Sequence, residues 1–251
     1  MRVIRFIILF TAALGQAEEA GPDPEQGRHW PFTPLGQVTP PVVTQTNWVS
    51  NPVDAFILSK LEAKGIEPAP LAERRTLVRR LYFDLLGVPP GPDVANAFVN
   101  DRNPLAYGRL VDRLLNDPHY GERWGRYWLD LARYADTAGY EGDPDMPHAW
   151  RYRDYVIDAF NADKPYDVFS REQLAGDLMP PSTDRDVQNA RKIATGFLAI
   201  GTKDLNERNR QQYLMDQADD QIDVTGRAVM ALTISCARCH DHKFDPIPTR
   251  D

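Results

Sequence analysis

Two cysteines are all that this 251-residue chain contains. So few exclude a disulfide-stapled scaffold and any zinc site built from four thiolates. Beyond Ala17 no apolar run is long enough to cross a bilayer, so no membrane span is expected in the mature chain. A basic stripe is also missing. The 29 Lys and Arg are interleaved with 36 Asp and Glu, the formal charge is -7, and nucleic acid is not an expected partner. Paired strand patterns are absent too: Pro and Gly punctuate helical periodicities from Asn51 onward.

What the chain does have is an ordered use of its two cysteines. Cys236-Ala237-Arg238-Cys239-His240 spells C-x-x-C-H, the attachment signature of a c-type haem. Two thiols at this spacing reach the two vinyl groups of one porphyrin, and the adjacent imidazole lies under the iron. Cys236 and Cys239 are therefore the candidate thioether residues and His240 the candidate proximal iron ligand. Three other readings use the same residues: a thioredoxin-like dithiol, half of a zinc knuckle, and a small-loop disulfide. Each lacks something, respectively a preceding strand, a second ligand pair and an unstrained loop.

The N-terminus carries a matching signal. Arg2 and Arg5, then an apolar core from Phe6 to Leu14, then Gly15-Gln16-Ala17 read as an export signal over residues 1–17. The predicted location is the periplasm or cell surface, the compartment in which haem c is attached. Residues 18–48 form a proline-rich lead-in with one aromatic cluster, His29-Trp30-Pro31-Phe32, expected to pack onto the folded part. Residues 49–251 are expected to fold as one irregular all-α domain of about eight helices, with the haem motif at the end of the last long one.

The helices are placed by caps and stripes. Asn51 caps the first, with Pro52 at its first position, Val53, Phe56, Ile57 and Leu61 on one face, and Gly65 at its end. Others are predicted over about 71–86, 93–99, 105–115, 121–135 and 150–160, then one capped by Asp167, and one over about 184–198. In 121–135 the inward stripe is read as Trp124, Trp128, Leu131 and Ala135. The last helix is predicted over about 209–235, with Leu214, Ala218, Ile222, Thr225, Val229 and Leu232 inward, running straight into Cys236. Its other face carries Asp216, Asp219, Asp220 and Asp223, read as a solvated or arginine-paired surface, with Arg227 one turn from Asp223.

A second axial ligand would have to come from upstream. His148 and His119 are the distal candidates, Met146 a weaker one; Met215 and Met230, on the helix feeding the motif, are poorly placed to reach the opposite side of the same iron. A pocket beside the haem is expected from Asp130, Arg133, Asp136, Tyr140 and Asp154. His242, with Asp241 and Asp245, is expected to hydrogen-bond His240 or a propionate.

Several phrases carry a family resemblance. They are Asn51-Pro52-Val53-Asp54, Arg79-Arg80-Leu81-Tyr82-Phe83-Asp84-Leu85-Leu86-Gly87-Val88-Pro89-Pro90, Pro118-His119-Tyr120-Gly121-Glu122-Arg123-Trp124, Glu172-Gln173-Leu174-Ala175-Gly176-Asp177-Leu178, and Cys239-His240-Asp241-His242-Lys243-Phe244-Asp245-Pro246-Ile247. Together they resemble the secreted, planctomycete-type cytochrome-like proteins, the second of the "PSCyt" domains, a domain of unknown function. The resemblance implies one covalent haem c and redox work at the cell envelope, with breakdown of sulfated polysaccharides as a suspected context. It also implies a further C-terminal domain, so this chain is expected to be a fragment of a longer protein. The expected function is electron transfer to a redox partner protein. The alternatives are a haem-dependent oxidoreductase acting on an envelope substrate such as a polysaccharide, or a carbohydrate-binding scaffold.

Overall fold

The computed structural model describes residues 36–140 and 142–250. The export signal and the His29-Trp30-Pro31-Phe32 cluster lie outside the described residues. Among the described residues every named element is helical; a single isolated bridge, Thr137 to Asp145, is the only extended pairing. The chain divides into two units at Ala69/Pro70.

The first unit is organised by one helix, α1 (Pro52–Ala63). Asn51 is extended, its side chain accepts from the backbone of Val53 and Asp54, and the Asp54 carboxylate accepts from the backbone of Asn51 and Ser50. This reciprocal box satisfies donors that a helix start leaves without partners. Gly65, with φ 63°, stops the helix in a left-handed turn. The predicted face is corrected: Ala55 and Leu58 are the buried residues, while Val53, Phe56 and Ile57 are exposed. The preceding segment is tied to α1 by the Glu62 carboxylate, which accepts from the backbone of Thr44 and Gln45.

The second unit has two cores. Helices α2 (Arg74–Leu85), α3 (Pro92–Asn100) and α4 (Ala106–Leu115) close around Val78, Leu86, Phe98, Leu110 and Leu114. The Arg74 guanidinium donates to the Phe98 carbonyl at 2.6 Å and lies 4.2 Å above that ring, fixing α2 on α3. The other core is aromatic and joins α5 (His119–Leu131), α6 (Trp150–Asn161), α7 (Tyr166–Ala175), α8 (Arg185–Ala194) and the short α9 (Gly196–Ala199). Trp128 stands at its centre, edge-on to Phe169 at 4.9 Å and stacked on Phe197 at 5.9 Å. Its indole N–H donates to buried Gln173, which also accepts from the Tyr152 hydroxyl.

Here too the inward face differs from the predicted stripe. Gly121, Gly125, Trp128 and Ala132 are buried, whereas Trp124 and Leu131 are exposed. The reason is close packing: a Cβ on Gly121 would lie 2.4 Å from the Ile157 carbonyl oxygen, so α6 approaches α5 along its glycines. Arg133, with φ 57°, ends this segment earlier than the predicted 135. Asp167 is not a cap either; it lies inside α7 and pairs with Arg171, while Asp184 and Asn209 do cap α8 and α10 (Arg210–Thr225).

One carboxylate is buried in this region. Glu172 accepts from the Tyr155 hydroxyl at 2.8 Å and pairs with Lys164, with Arg191 at 3.7 Å. Burial first, then this carboxylate, push the Tyr155 hydroxyl far above its ordinary range, so it stays a donor.

Candidate functional site

The motif is not reached by a straight helix. The predicted helix over 209–235 is corrected: α10 ends at Thr225, residues Gly226–Met230 form one turn of π-helix, and Ala231 is left-handed at φ 56°. The Leu232 backbone N–H then closes onto the Gly226 carbonyl at 3.0 Å, and the chain re-enters a 3-10 turn, Ile234–Arg238. Gly226 lets the returning chain lie close, because a Cβ there would press on the end of the Ile234 side chain, 2.6 Å from Cδ1. The motif thus folds back along α10 instead of extending it.

Arg238, the residue between the two cysteines, holds it there. Its Nη2 donates to Asp216 at 2.8 Å and its Nη1 to Asp219 at 2.9 Å. The hydrogen bond from Arg238 lowers the Asp216 carboxyl below its ordinary value, and Asp216 in turn raises Arg238. The remaining acids of α10 are also paired, Asp220 with Arg133 at 3.0 Å and Asp223 with Arg227 at 2.8 Å. The arginine-paired reading of this face therefore holds. The inward stripe does not: Val224 is the buried apolar residue of α10, and Leu214 and Ile222 face outward.

The reactive atoms of the motif are presented outward. Cys236 and Cys239 are free thiols, both exposed, with Ala237 between them buried as the anchor of the turn. His240 is exposed, and its Nδ1 lies 2.8 Å from the Asp241 carbonyl oxygen. A carbonyl only accepts, so Nδ1 carries the proton and the lone pair of the neutral ring sits on Nε2. This is the nitrogen an axial ligand uses when the other is held by the backbone. The donor set, two exposed thiols and an imidazole with Nε2 as its lone-pair nitrogen, fits a covalently attached haem.

His242 does something other than the predicted contact with His240. Its Nδ1 accepts from the backbone of Asp245 at 2.8 Å and Phe244 at 3.3 Å, which places the proton on Nε2, 3.0 Å from the Thr233 hydroxyl. Its own backbone N–H donates to the Ile247 carbonyl. Asp241 accepts from the backbone and hydroxyl of Thr249, and the backbone bond holds its carboxyl below the ordinary value. These bonds close residues 241–249 into a loop directly after His240. The role of His242 was not readable from spacing, since it depends on backbone groups that converge only after the loop closes.

A family model for PSCyt2, described as a protein of unknown function (DUF1549), matches residues 52–251. The chain belongs to the PSCyt2 family. No curated protein and no solved structure matches it. The matched span includes both the aromatic core and the C-x-x-C-H turn, so in this PSCyt2 chain they are parts of one family unit.

The distal candidates of the PSCyt2 chain occupy other elements. His119 is exposed at the start of α5, where Asp117 accepts from both its backbone and its ring Nδ1; that bond raises the ring's pKa. His148 is exposed in the turn before α6, and its carbonyl accepts from Arg151. Met146 packs against the aromatic core. Among the described residues no hydrogen bond or ion pair links any of the three to the motif, and no three His, Cys, Asp or Glu gather as a metal site would require. Of the expected pocket residues, Asp136 and Asp154 lie together around Tyr134 and Arg153, whereas Arg133 is turned to α10. Arg133 goes to Asp220, Asp136 accepts from Tyr134, and Asp154 pairs with Arg153. Burial first, then Asp136, push the Tyr134 hydroxyl up to about 12.

Asp154 does line a cleft of about 550 Å³ between α6 and α8. Its floor is Tyr155, Ala159, Ala190 and Ile193, and its rim includes Trp150, Asp158, Asp186 and Asn189.

Proposed function

We propose that this chain is an exported c-type haem protein that passes single electrons at the cell envelope. The observation that carries the reading is the state of His240: Nδ1 committed to a backbone carbonyl, Nε2 free, beside two outward thiols. Cys236 and Cys239 would hold one porphyrin through thioethers, and His240 Nε2 would bind its iron. Arg238 keeps the turn seated on α10, so both sulfurs and the imidazole stay in fixed relation. Bound haem iron would supply the one-electron redox chemistry. The Asp241 carbonyl, by accepting the Nδ1 proton, would strengthen the imidazole as a ligand.

The test is a mass spectrum of the chain exported by cells that possess haem-attachment machinery. The expected result is a gain of one haem, lost when Cys236→Ala and Cys239→Ala are combined. Exported protein with both thiols unmodified would remove the reading.

The cleft between α6 and α8 favours a second reading, a carbohydrate-binding domain. Trp150 offers an aromatic platform, and Asp158, Asp186 and Asn189 offer acceptors for hydroxyls. Arg151 and Lys164 line the cleft beside its three aspartates, so both neutral and sulfated glycans are to be tried. Calorimetry with neutral and sulfated oligosaccharides separates the two; heat with neither leaves electron transfer alone.

A further inference from the structure

The charged side chains that line the cleft between α6 and α8 are not equally available to a ligand. Lys164 Nζ is held by the buried Glu172 carboxylate at 2.5 Å and lies 4.7 Å from the centre of the Tyr155 ring. Asp154 is taken by Arg153, whose Nη2 lies 2.9 Å away. Arg151 rests over Trp150, its guanidinium carbon 5.4 Å from the ring centre. Among the described residues no hydrogen bond or ion pair engages the side chains of Asp158, Asp186 or Asn189. The two helices run in opposite directions. Arg191, in the middle of α8, reaches Glu172 beside Lys164, whereas Gly196, past its end, packs on Tyr152 near the start of α6. Asp186, in the first turn of α8, therefore belongs to the Asp158 end of the cleft. Trp150 stands at the other end, about 12 Å from Asp158 along the axis of α6 at the rise of an α-helix. The cleft is thus polarised, with an aromatic end that carries Arg151 and an acidic end whose two carboxylates have no counter-ion among the described residues.

Resting on the carbohydrate reading of this cleft, we infer that its ligand is a glycan containing an amino sugar with a free ammonium group, which Asp158 and Asp186 receive while Trp150 holds a neighbouring ring. An apolar floor with a few polar groups that fix orientation is what a small-ligand site presents. Here Ala159 and Ala190 leave the floor open to the apolar face of a sugar ring, and the Asn189 amide both donates to and accepts from hydroxyls. Trp150 is still 45% exposed beside Arg151. A neutral glycan would leave both carboxylates to water, and a sulfated one would set its anions against them, because the cation not held by a carboxylate, Arg151, is at the far end. A basic peptide is disfavoured, since a second cation at Trp150 meets the guanidinium already there.

Calorimetry on the full chain compares a trisaccharide of N-acetylglucosamine with its singly de-acetylated forms, each of which exposes one ammonium. The tightest of the de-acetylated forms is expected to bind about tenfold more tightly than the acetylated parent, the effect of two exposed ion pairs. That advantage should shrink as salt is raised. Asp158→Asn combined with Asp186→Asn should remove it while both sugars still bind; both carboxylates are exposed, so folding is not at issue. Trp150→Ala should weaken both sugars alike. Equal affinity for acetylated and de-acetylated sugars overturns the inference and leaves the carbohydrate reading standing. A tri-lysine peptide that binds as tightly as the de-acetylated sugar, unaffected by Trp150→Ala, also overturns it and assigns the acids to a basic peptide. No heat with any of the sugars fails the carbohydrate reading, and the inference with it.

Discussion

Arg238 is the residue on which the motif's position turns. It is bonded to Asp216 and Asp219, twenty-two and nineteen residues earlier in the chain. Asp216 has its carboxyl held below the ordinary 3.8 chiefly by the Arg238 hydrogen bond. A carboxyl with a lower pKa folded than unfolded stabilises the docked state above the unfolded value and loses that contribution as pH falls through the folded one. Seating of the motif on α10 is therefore complete at neutral pH and weakens in acid, below about pH 3.8. Carboxyl-detected ¹³C titration checks this. In Arg238→Gln the Asp216 midpoint should rise toward the ordinary value. Asp241, held down by the backbone of Thr249, should remain low. If the Asp216 midpoint is unchanged by the substitution, the clamp is not what positions the turn. The roles proposed for the two cysteines and His240 come from the sequence alone, because attachment chemistry fixes their spacing locally. The clamp was not legible there, because the pairing of Arg238 with acids of α10 needs a reversal that spacing alone does not reveal.

At the scale of elements, the sequence was informative about beginnings and uninformative about faces. Asn51 caps its helix as read, since a cap is a bond between a side chain and backbone two or three residues on; Asp167 was read as a cap and is not one, while Asp184 and Asn209, read only as approximate starts, are caps. Faces were harder. Leu214, Ala218 and Ile222 share one side of α10, and periodicity found that side correctly, yet it looks outward. In α5 the glycines, not Trp124 and Leu131, meet the partner helix, because glycine gives close approach without adding to an apolar stripe. The end of α10 was invisible for another reason: Gly226-Arg227-Ala228-Val229-Met230 contains no proline, and the break is made by an alanine in the left-handed region. This yields a paired prediction. Ala231→Gly should stabilise the protein by up to about 1 kcal/mol by relieving the left-handed alanine. Gly226→Ala should destabilise it by about 1–3 kcal/mol through overlap with Ile234. Thermal unfolding reads both, each kcal/mol moving Tm by about 2–4 °C in a chain of this size. A helix running straight through these positions would give the opposite signs, since glycine costs about 1 kcal/mol in a helix interior.

At the scale of the molecule, α10 links the second unit's aromatic core to the motif by charge. Arg133, just past the end of α5, donates to the Ile200 carbonyl at 2.6 Å and to Asp220 at 3.0 Å, and burial lowers its pKa while Asp220 supports its charge. Along the same helix, Asp219 and Asp216 hold Arg238. The acids of α10 thus seat the motif and are largely consumed internally, leaving the field at a distance to the rest of the chain. That field is negative, with 36 acidic against 29 basic residues and a formal charge of -7. A protein of this charge meets cationic partners faster than neutral ones, and salt screens the attraction with a Debye length of about 10 Å at 0.1 M. For the haem-loaded, reduced chain, oxidation by a cationic ruthenium ammine should slow as ionic strength rises, and oxidation by ferricyanide should quicken. A basic partner protein should behave like the cation, its association rate falling about tenfold or more from low to physiological salt. Stopped-flow measurement over a salt series decides it. Equal salt dependence for the two small oxidants would mean that the surface around the motif is not governed by the net charge, and the expectation of a basic redox partner would go with it.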